Sequence, residues 1–332
     1  MSEDTYWESL VVWAGDEPLR KLSLAEALAI HPGKNPLTLD RDTRRAWARL
    51  VGPSEKVVRS TQEEPAPLLG KLEPRYTNEI QINHRDGPTR FVALFDLHWP
   101  YNVYQPQIEQ FLRDFKPHEL IYGGDAINND AFNHWAEKTP KEARIMPAPK
   151  EHYRQANEQL FTPLAEAARN ARITYMMGNH EDWTNRAIAD EPKGEGYWEV
   201  ERNIEHVDAW VRPREILRLG KLYMAHGDVV QNSTVSPARG LILKGYTRNI
   251  IMGHLHTWSL ATVTNPIDVD ERHVTEYVPC LCEFNPPFMA NRPHAWMNGF
   301  VFGYVEQDGS FFKQTVIITD GTFYANGKRY SA

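Results

Sequence analysis

Between residues 91 and 256, five short apolar runs each end in a cluster of residues that can do chemistry. FVALF (91–95) runs into Asp96-Leu97-His98, and LIYGG (120–124) into Asp125. TYMMG (174–178) runs into Asn179-His180-Glu181, KLYMA (221–225) into His226-Gly227-Asp228, and NIIMG (249–253) into His254-Leu255-His256. Apolar, β-prone runs of this length read as buried strands, and strand ends are where α/β sheets collect ligands. Helical patterns lie between them. QPQIEQFLRDF (105–115) sets Ile108, Phe111, Leu112 and Phe115 at helical spacing, and residues 151–170 read as a long helix kinked at Pro163. Strand–helix alternation favours an α/β domain with helices covering a sheet. From about residue 258 the chain turns β-rich, and FVFGYVEQDGSFFKQTVIIT (300–319) reads as a hairpin through Gln307-Asp308-Gly309.

The flanks read differently. Residues 1–50 form a small helical region, with SLAEALAI (23–30) and DRDTRRAWARLV (40–51) as its helices. The turn between them holds two prolines, which makes a packing or dimerisation appendage a better reading than a DNA-binding helix-turn-helix. Residues 51–89 are rich in Pro, Gly and charge and read as an extended linker, leaving 90–332 as the main domain. A chain of 332 residues with 41% hydrophobic content can bury a sizeable core. The net charge of −7 gives no global basic field for nucleic acid or anionic membrane. Bound metal would add positive charge that this count omits. The acidic start has no signal-peptide core, and no apolar run approaches the ~20 residues of a membrane span. Cys280 and Cys282 are spaced wrongly for a zinc knuckle and read as small strand residues in a reducing compartment. A cytoplasmic protein without a membrane partner is the expectation. Nothing in the sequence sets the oligomeric state.

On extended backbone, residues two apart point to one side. Asp96 with His98, and His254 with His256, can therefore each offer two groups to one site. Imidazole, carboxylate and one amide, without thiolate, suit manganese, iron or zinc. The set is too large for one tetrahedral ion and large enough for two that share a carboxylate, and two ions ~3.5–4 Å apart serve phosphoryl hydrolysis.

The ordered blocks DLH (96–98), GD (124–125), GNHE (178–181), HG (226–227) and GHLH (253–256) resemble the signature of the calcineurin-like metallophosphoesterases. The resemblance covers roughly residues 90–305 and leaves the first ninety unexplained. It implies a two-sheet β-sandwich flanked by helices (αββα) and two divalent transition-metal ions, manganese first and iron or zinc as alternatives. Asp96, His98, Asp125 and His256 would hold one ion, and Asp125 (bridging), Asn179, His226 and His254 the other. His180 would be the catalytic residue outside both ligand sets, steadying the transition state or protonating the leaving oxygen. The stretch YVPCLCEFNPPF (277–288) with WMNGFVFGYV (296–305) is more loosely similar to stand-alone members encoded by bacteriophages.

The chain departs from the family at one point. Its serine/threonine phosphatases carry an arginine in G-D-x-x-D-R-G, where this chain reads GDAINND (124–130). Asn128, Asn129 and His134 stand in that neighbourhood as substrate-contact candidates, against the plainer reading of a polar loop. Arg239 is a further candidate, with Lys244 and Arg248 nearby, against the plainer reading of a solvated helix face. The expectation is a dinuclear phosphodiesterase acting on nucleic acid (DNA or RNA) or a nucleotide. A phosphomonoesterase is the alternative, and a non-catalytic metal-binding scaffold the weaker one.

Overall fold

The structure, a computed structural model, describes residues 9, 11–14, 17–21, 24–32, 46, 76–82, 87–132, 149–228, 236–264, 267 and 272–331. The chain divides into two compact units, Met1–Gly70 and Lys71–Ala332. The first holds an antiparallel pair, β1 (Val11–Ala14) and β2 (Glu17–Lys21), and helix α1 (Leu24–Ile30). Helix α1 falls on SLAEALAI, whereas the hairpin was not part of the helical reading. Its signal is VVW followed by Gly15-Asp16, the kind of dipeptide that closes two-residue hairpin loops. The second expected helix lies, apart from Ala46, outside the described residues.

Among the described residues, the second unit is a sandwich of two six-stranded sheets. In the first sheet, β4 (Thr89–Leu94), β5 (Glu119–Tyr122), β6 (Arg172–Met176) and β7 (Ala209–Val211) lie parallel. The hairpin of β13 (Gly299–Val305) and β14 (Phe311–Ile317) joins antiparallel at β4. In the second sheet, β9 (Leu222–Ala225), β10 (Ile250–Met252) and β12 (Arg272–Tyr277) are parallel. Antiparallel β11 (Ser259–Thr264) flanks β12, and β8 (Leu217–Leu219) flanks β9. Strand β3 (Glu79–Ile80) adds to β8 in parallel. The linker expected over 51–89 therefore ends earlier. Ile80 is 1% exposed and packs in the core, so the domain claims it before residue 90.

Strand periodicity builds the layers. Phe91, Ala93 and Phe95 face the second sheet and meet Ile121, Met176, Met224 and Ile251. Val92 and Leu94 face the other way, toward α2 (Gln105–Phe115) and the helical run Pro149–Ala167, where Phe111 and Phe161 are fully buried. Burying each such ring stabilises the fold by about 1.5–3 kcal/mol. The second sheet's outer face packs on α6 (Pro237–Leu243) through Leu241, Ile250, Met252 and Tyr277. The result is the αββα layering that the resemblance implies.

The helical run divides where Pro163 demands it. Segments α3 (Pro149–Ala156) and α4 (Thr162–Ala167) flank a π-helical turn at Asn157–Phe161. Pro163 has no N–H to give the Gln159 carbonyl, four residues back. That carbonyl instead accepts the Gln105 side-chain amide at 2.8 Å, so the missing helical bond becomes a tie to α2.

Glu119, opposite Arg172 across the β5–β6 pair, is 4% exposed. Burial pushes its carboxyl up to about 7, against the partial relief of Arg172. The folded state therefore resists ionising this group. This group's contribution to stability is full below about pH 4.5 and is lost as pH rises to 7, a loss on the order of 3 kcal/mol. Glu119→Gln should raise Tm at pH 8, and the gain should vanish near pH 4.5. A gain that is the same at both pH values would mean an ordinary carboxyl.

Candidate metal centre

The five polar clusters follow β4, β5, β6, β9 and β10, and the sandwich brings all five strand ends together. Each chain segment turns immediately. Asp96 (φ 52), His98 (φ 49), Asp125 (φ 49), Asn129 (φ 51), His254 (φ 69) and His256 (φ 56) all take left-handed backbone. Such residues cost about 1–3 kcal/mol each and cluster at functional sites. The extended backbone expected at Asp96–His98 and His254–His256 is thus absent. Asp96 and His98 still meet, but His254 and His256 part, one to each of two donor groups. Gly178 serves packing rather than a backbone turn. Its φ of −90 is open to any residue. It is glycine because a Cβ would lie 2.2 Å from Asp125 Oδ1.

Two groups of donors converge. In the first, His98 Nε2 lies 3.0 Å from His256 Nε2, and Asp96 Oδ1 lies 3.3 Å from His256 Nε2 and 3.9 Å from His98 Nε2. In the second, His226 Nε2 lies 3.1 Å from Asp125 Oδ2 and 3.0 Å from Asn179 Oδ1, and His254 completes a triad with Asp125 and His226. Asp125 Oδ2 also lies 3.9 Å from His98 Nε2, between the groups. Ligands about 2.0–2.2 Å from a shared ion lie about 3–3.5 Å apart, and the 3.0–3.3 Å pairs of each group fit that spacing. His180 joins His98 and Asp125 in a third grouping, its Nε2 3.8 Å from Asp125 Oδ2.

The charges agree with that fit. Burial works against ionising Asp96, yet His256 and His226 hold its carboxyl below the usual range; His226 and His180 hold Asp125 lower still. Burial likewise opposes protonating His226 and His256, but Asp125 and Asp96 outweigh it and hold each at about 10. Burial, and then the neighbouring imidazoles, push His98 down to about 3 and His254 to about 4. Without metal, two imidazolium protons balance two carboxylates. Divalent ions would take over that work and release the protons.

The residues behind the donors fix their aim. Asn128 is fully buried, and its Oδ1 accepts from His98 Nδ1 at 2.9 Å, which leaves Nε2 bare toward the first group. Asn129 is also buried and donates to the His180 carbonyl at 3.1 Å. Each substrate-contact candidate thus braces a histidine of the centre through one amide atom, while Asn128 Nδ2 and Asn129 Oδ1 have no hydrogen-bond partner among the described residues. Arg239 sits exposed on α6 with no hydrogen bond or ion pair to the centre among the described residues, and Lys244 and Arg248 are exposed too. His134 lies outside the described residues.

Glu181 was quoted in its block without a role. Its carboxylate is fully buried and accepts from Asp125 N (3.0 Å), Ile127 N (3.2 Å), Gly178 N (2.8 Å) and Tyr175 Oη (2.7 Å). One side chain thus pins the GD loop to the turn that opens α5 (Asn179–Asp190). A glutamate three residues after a helix-capping position was the available signal.

No protein-family model matches the sequence, and no curated protein matches it. Among solved structures, Vps29 of Chaetomium thermophilum is similar with a TM-score of 0.30 and 9% sequence identity, over 70% of this chain and 98% of that one. A likeness that loose adds nothing to the site, which stands on its own residues. No helix among the described residues is long and apolar enough to cross a membrane.

Glu181→Gln turns an amide NH2 toward backbone donors whichever way it flips. Stability should fall by about 1.5–3 kcal/mol, and manganese affinity by about 10–100-fold. Unchanged melting and unchanged manganese titration would remove Glu181 from the design of the centre.

Proposed function

We propose that this chain is a dinuclear metal-dependent phosphodiesterase acting on nucleic acid or nucleotide diesters, with manganese as the leading metal. The observation that supports it most is Asp125, whose carboxylate lies between two donor groups, one buried and one partly buried. Asp96, His98 and His256 would hold one ion with Asp125, and Asn179, His226 and His254 the other. A bound pair supplies Lewis-acid charge for phosphoryl oxygens and a nucleophilic water near neutral pH.

His180 would handle the leaving group. Its Nδ1 lies 2.6 Å from the Asn128 carbonyl, which can only accept, so Nδ1 carries a proton and Nε2 is the atom free to give and take one. The Trp183 ring lies 3.9 Å from the imidazole and braces it. Burial holds His180 below its ordinary pKa, so its imidazolium gives up the proton readily.

A monoester dianion is normally gripped by arginine in a bidentate fork. The loop from Asp125 to Phe132 has none, and its two asparagines face inward. Arg214 is held by Asp182 at 2.6 Å and lies 4.0 Å from Asp228. Two ions and one imidazole suit a diester monoanion better. With manganese, bis(4-nitrophenyl) phosphate should show higher kcat/KM than 4-nitrophenyl phosphate, and His180→Ala should lower diesterase kcat by about 10²–10⁴ at unchanged metal content. Preference for the monoester would make the protein a phosphatase, and loss of metal in His180→Ala would make His180 a ligand.

A further inference from the structure

The loop between Cys282 and Met297 carries aromatic side chains in an unbroken series that starts at the metal centre. The Trp296 ring lies 4.2 Å from His256, and the Phe288 ring 6.1 Å from His98. From there the series runs outward, Phe288 to Tyr101 at 5.8 Å, Trp296 to His294 at 4.7 Å, and His294 to Phe284 at 6.0 Å. Phe288 and Trp296 are half-buried, while His294 and Phe284 are exposed. A core cluster would close over such rings, but these stay partly exposed beside the candidate ligands.

The loop is held in place from both ends and from within. Glu283 N donates to the Tyr101 carbonyl at 2.8 Å, and Tyr101 N to that of His98 at 2.8 Å. At the other end Met297 N donates to the His256 carbonyl at 2.8 Å. Inside the loop, Arg292 donates to the carbonyls of Met289 (3.1 Å) and Phe288 (2.9 Å), and Asn291 N to Asn285 Oδ1 at 3.1 Å. The rings are therefore ordered before anything binds, which lowers the entropic cost of stacking on them.

We propose that Phe288, Trp296 and His294 form a stacking shelf for a nucleobase whose phosphate sits at the metal centre. The inference rests on the phosphodiesterase reading and deepens it. A shelf that begins within one ring's distance of His98 and His256 serves a flat group linked directly to the phosphate. Aromatic faces accept any base, at about 1–3 kcal/mol per base. The net charge of −7, with Arg292 the one lysine or arginine among residues 283–296, argues against a basic track for a long backbone along this loop. The occupant is a mononucleotide unit or the end of a short single strand.

The test compares calorimetric binding of thymidine 5′-monophosphate and ribose 5-phosphate to the manganese-loaded full chain. It is paired with kcat/KM for thymidine 5′-(4-nitrophenyl phosphate) against methyl 4-nitrophenyl phosphate. Wild type should favour the base-bearing compound about 5–150-fold in both readouts. Phe288→Ala and, separately, His294→Ala should shrink both ratios, and Phe288→Trp should keep them. Ratios near one in wild type, or unaltered in both alanine variants, overturn the shelf. If no diester is hydrolysed and base-dependent binding still follows Phe288, the shelf stands and the phosphodiesterase reading falls. If neither hydrolysis nor base-dependent binding is seen, both fall.

Discussion

Two carboxylates, Asp96 and Asp125, stand at the ends of adjacent parallel strands, 0% and 1% exposed, and their charge must be balanced from within the protein. Burying unpaired charge is among the costliest things a fold can do. The loops around them read as answers to that demand. Left-handed backbone at six non-glycine residues swings imidazoles and carboxylates to face one another. Glycine at 178 lets Asp125 approach the next loop to a distance no Cβ allows. Glu181, a third buried carboxylate, is tolerated because four donors converge on it, and in return it locks the loop of Asp125 to the turn of Asn179. Strain, burial and charge are all spent in one place, which is the pattern of a site rather than of a core.

The layers of the fold were legible in the sequence because they follow from periodicity. Strands β4, β5, β6, β9 and β10 fall on the five apolar runs, and α2 falls on its amphipathic pattern. Strand β3 was hidden, since a two-residue strand inside a polar stretch carries too little pattern to see. The donors were legible as residue types at strand ends, but their aim was not. Alternation holds on pleated backbone, and His254 and His256 lie beyond the last strand residue, Met252, on left-handed backbone. Asn128 and Asn129 show the same limit. Their loop position suggested substrate contact, and no sequence signal showed that each also holds a histidine, Asn128 by its ring and Asn129 by its backbone carbonyl.

The aromatic loop after Cys282 completes the picture on the substrate side. Conserving charge balance explains why the donors exist, but it does not explain why Trp296 and Phe288 stand partly exposed against them. The proposed base-bearing diester would give both features one reason, its phosphate meeting the ions and its base the rings. The absence of arginine in the Asp125 loop and the proposed shelf would then share one meaning, a substrate recognised by its flat substituent more than by its negative charge.

The claim on which the rest depends is that Asp125 joins two metal ions. Elemental analysis of the protein after manganese loading and removal of free ion tests it most directly. Wild type should retain about two ions per chain and Asp125→Asn close to none, because one carboxylate neutralises both sites. No bound metal in wild type, or two ions retained by a folded Asp125→Asn variant, would contradict it.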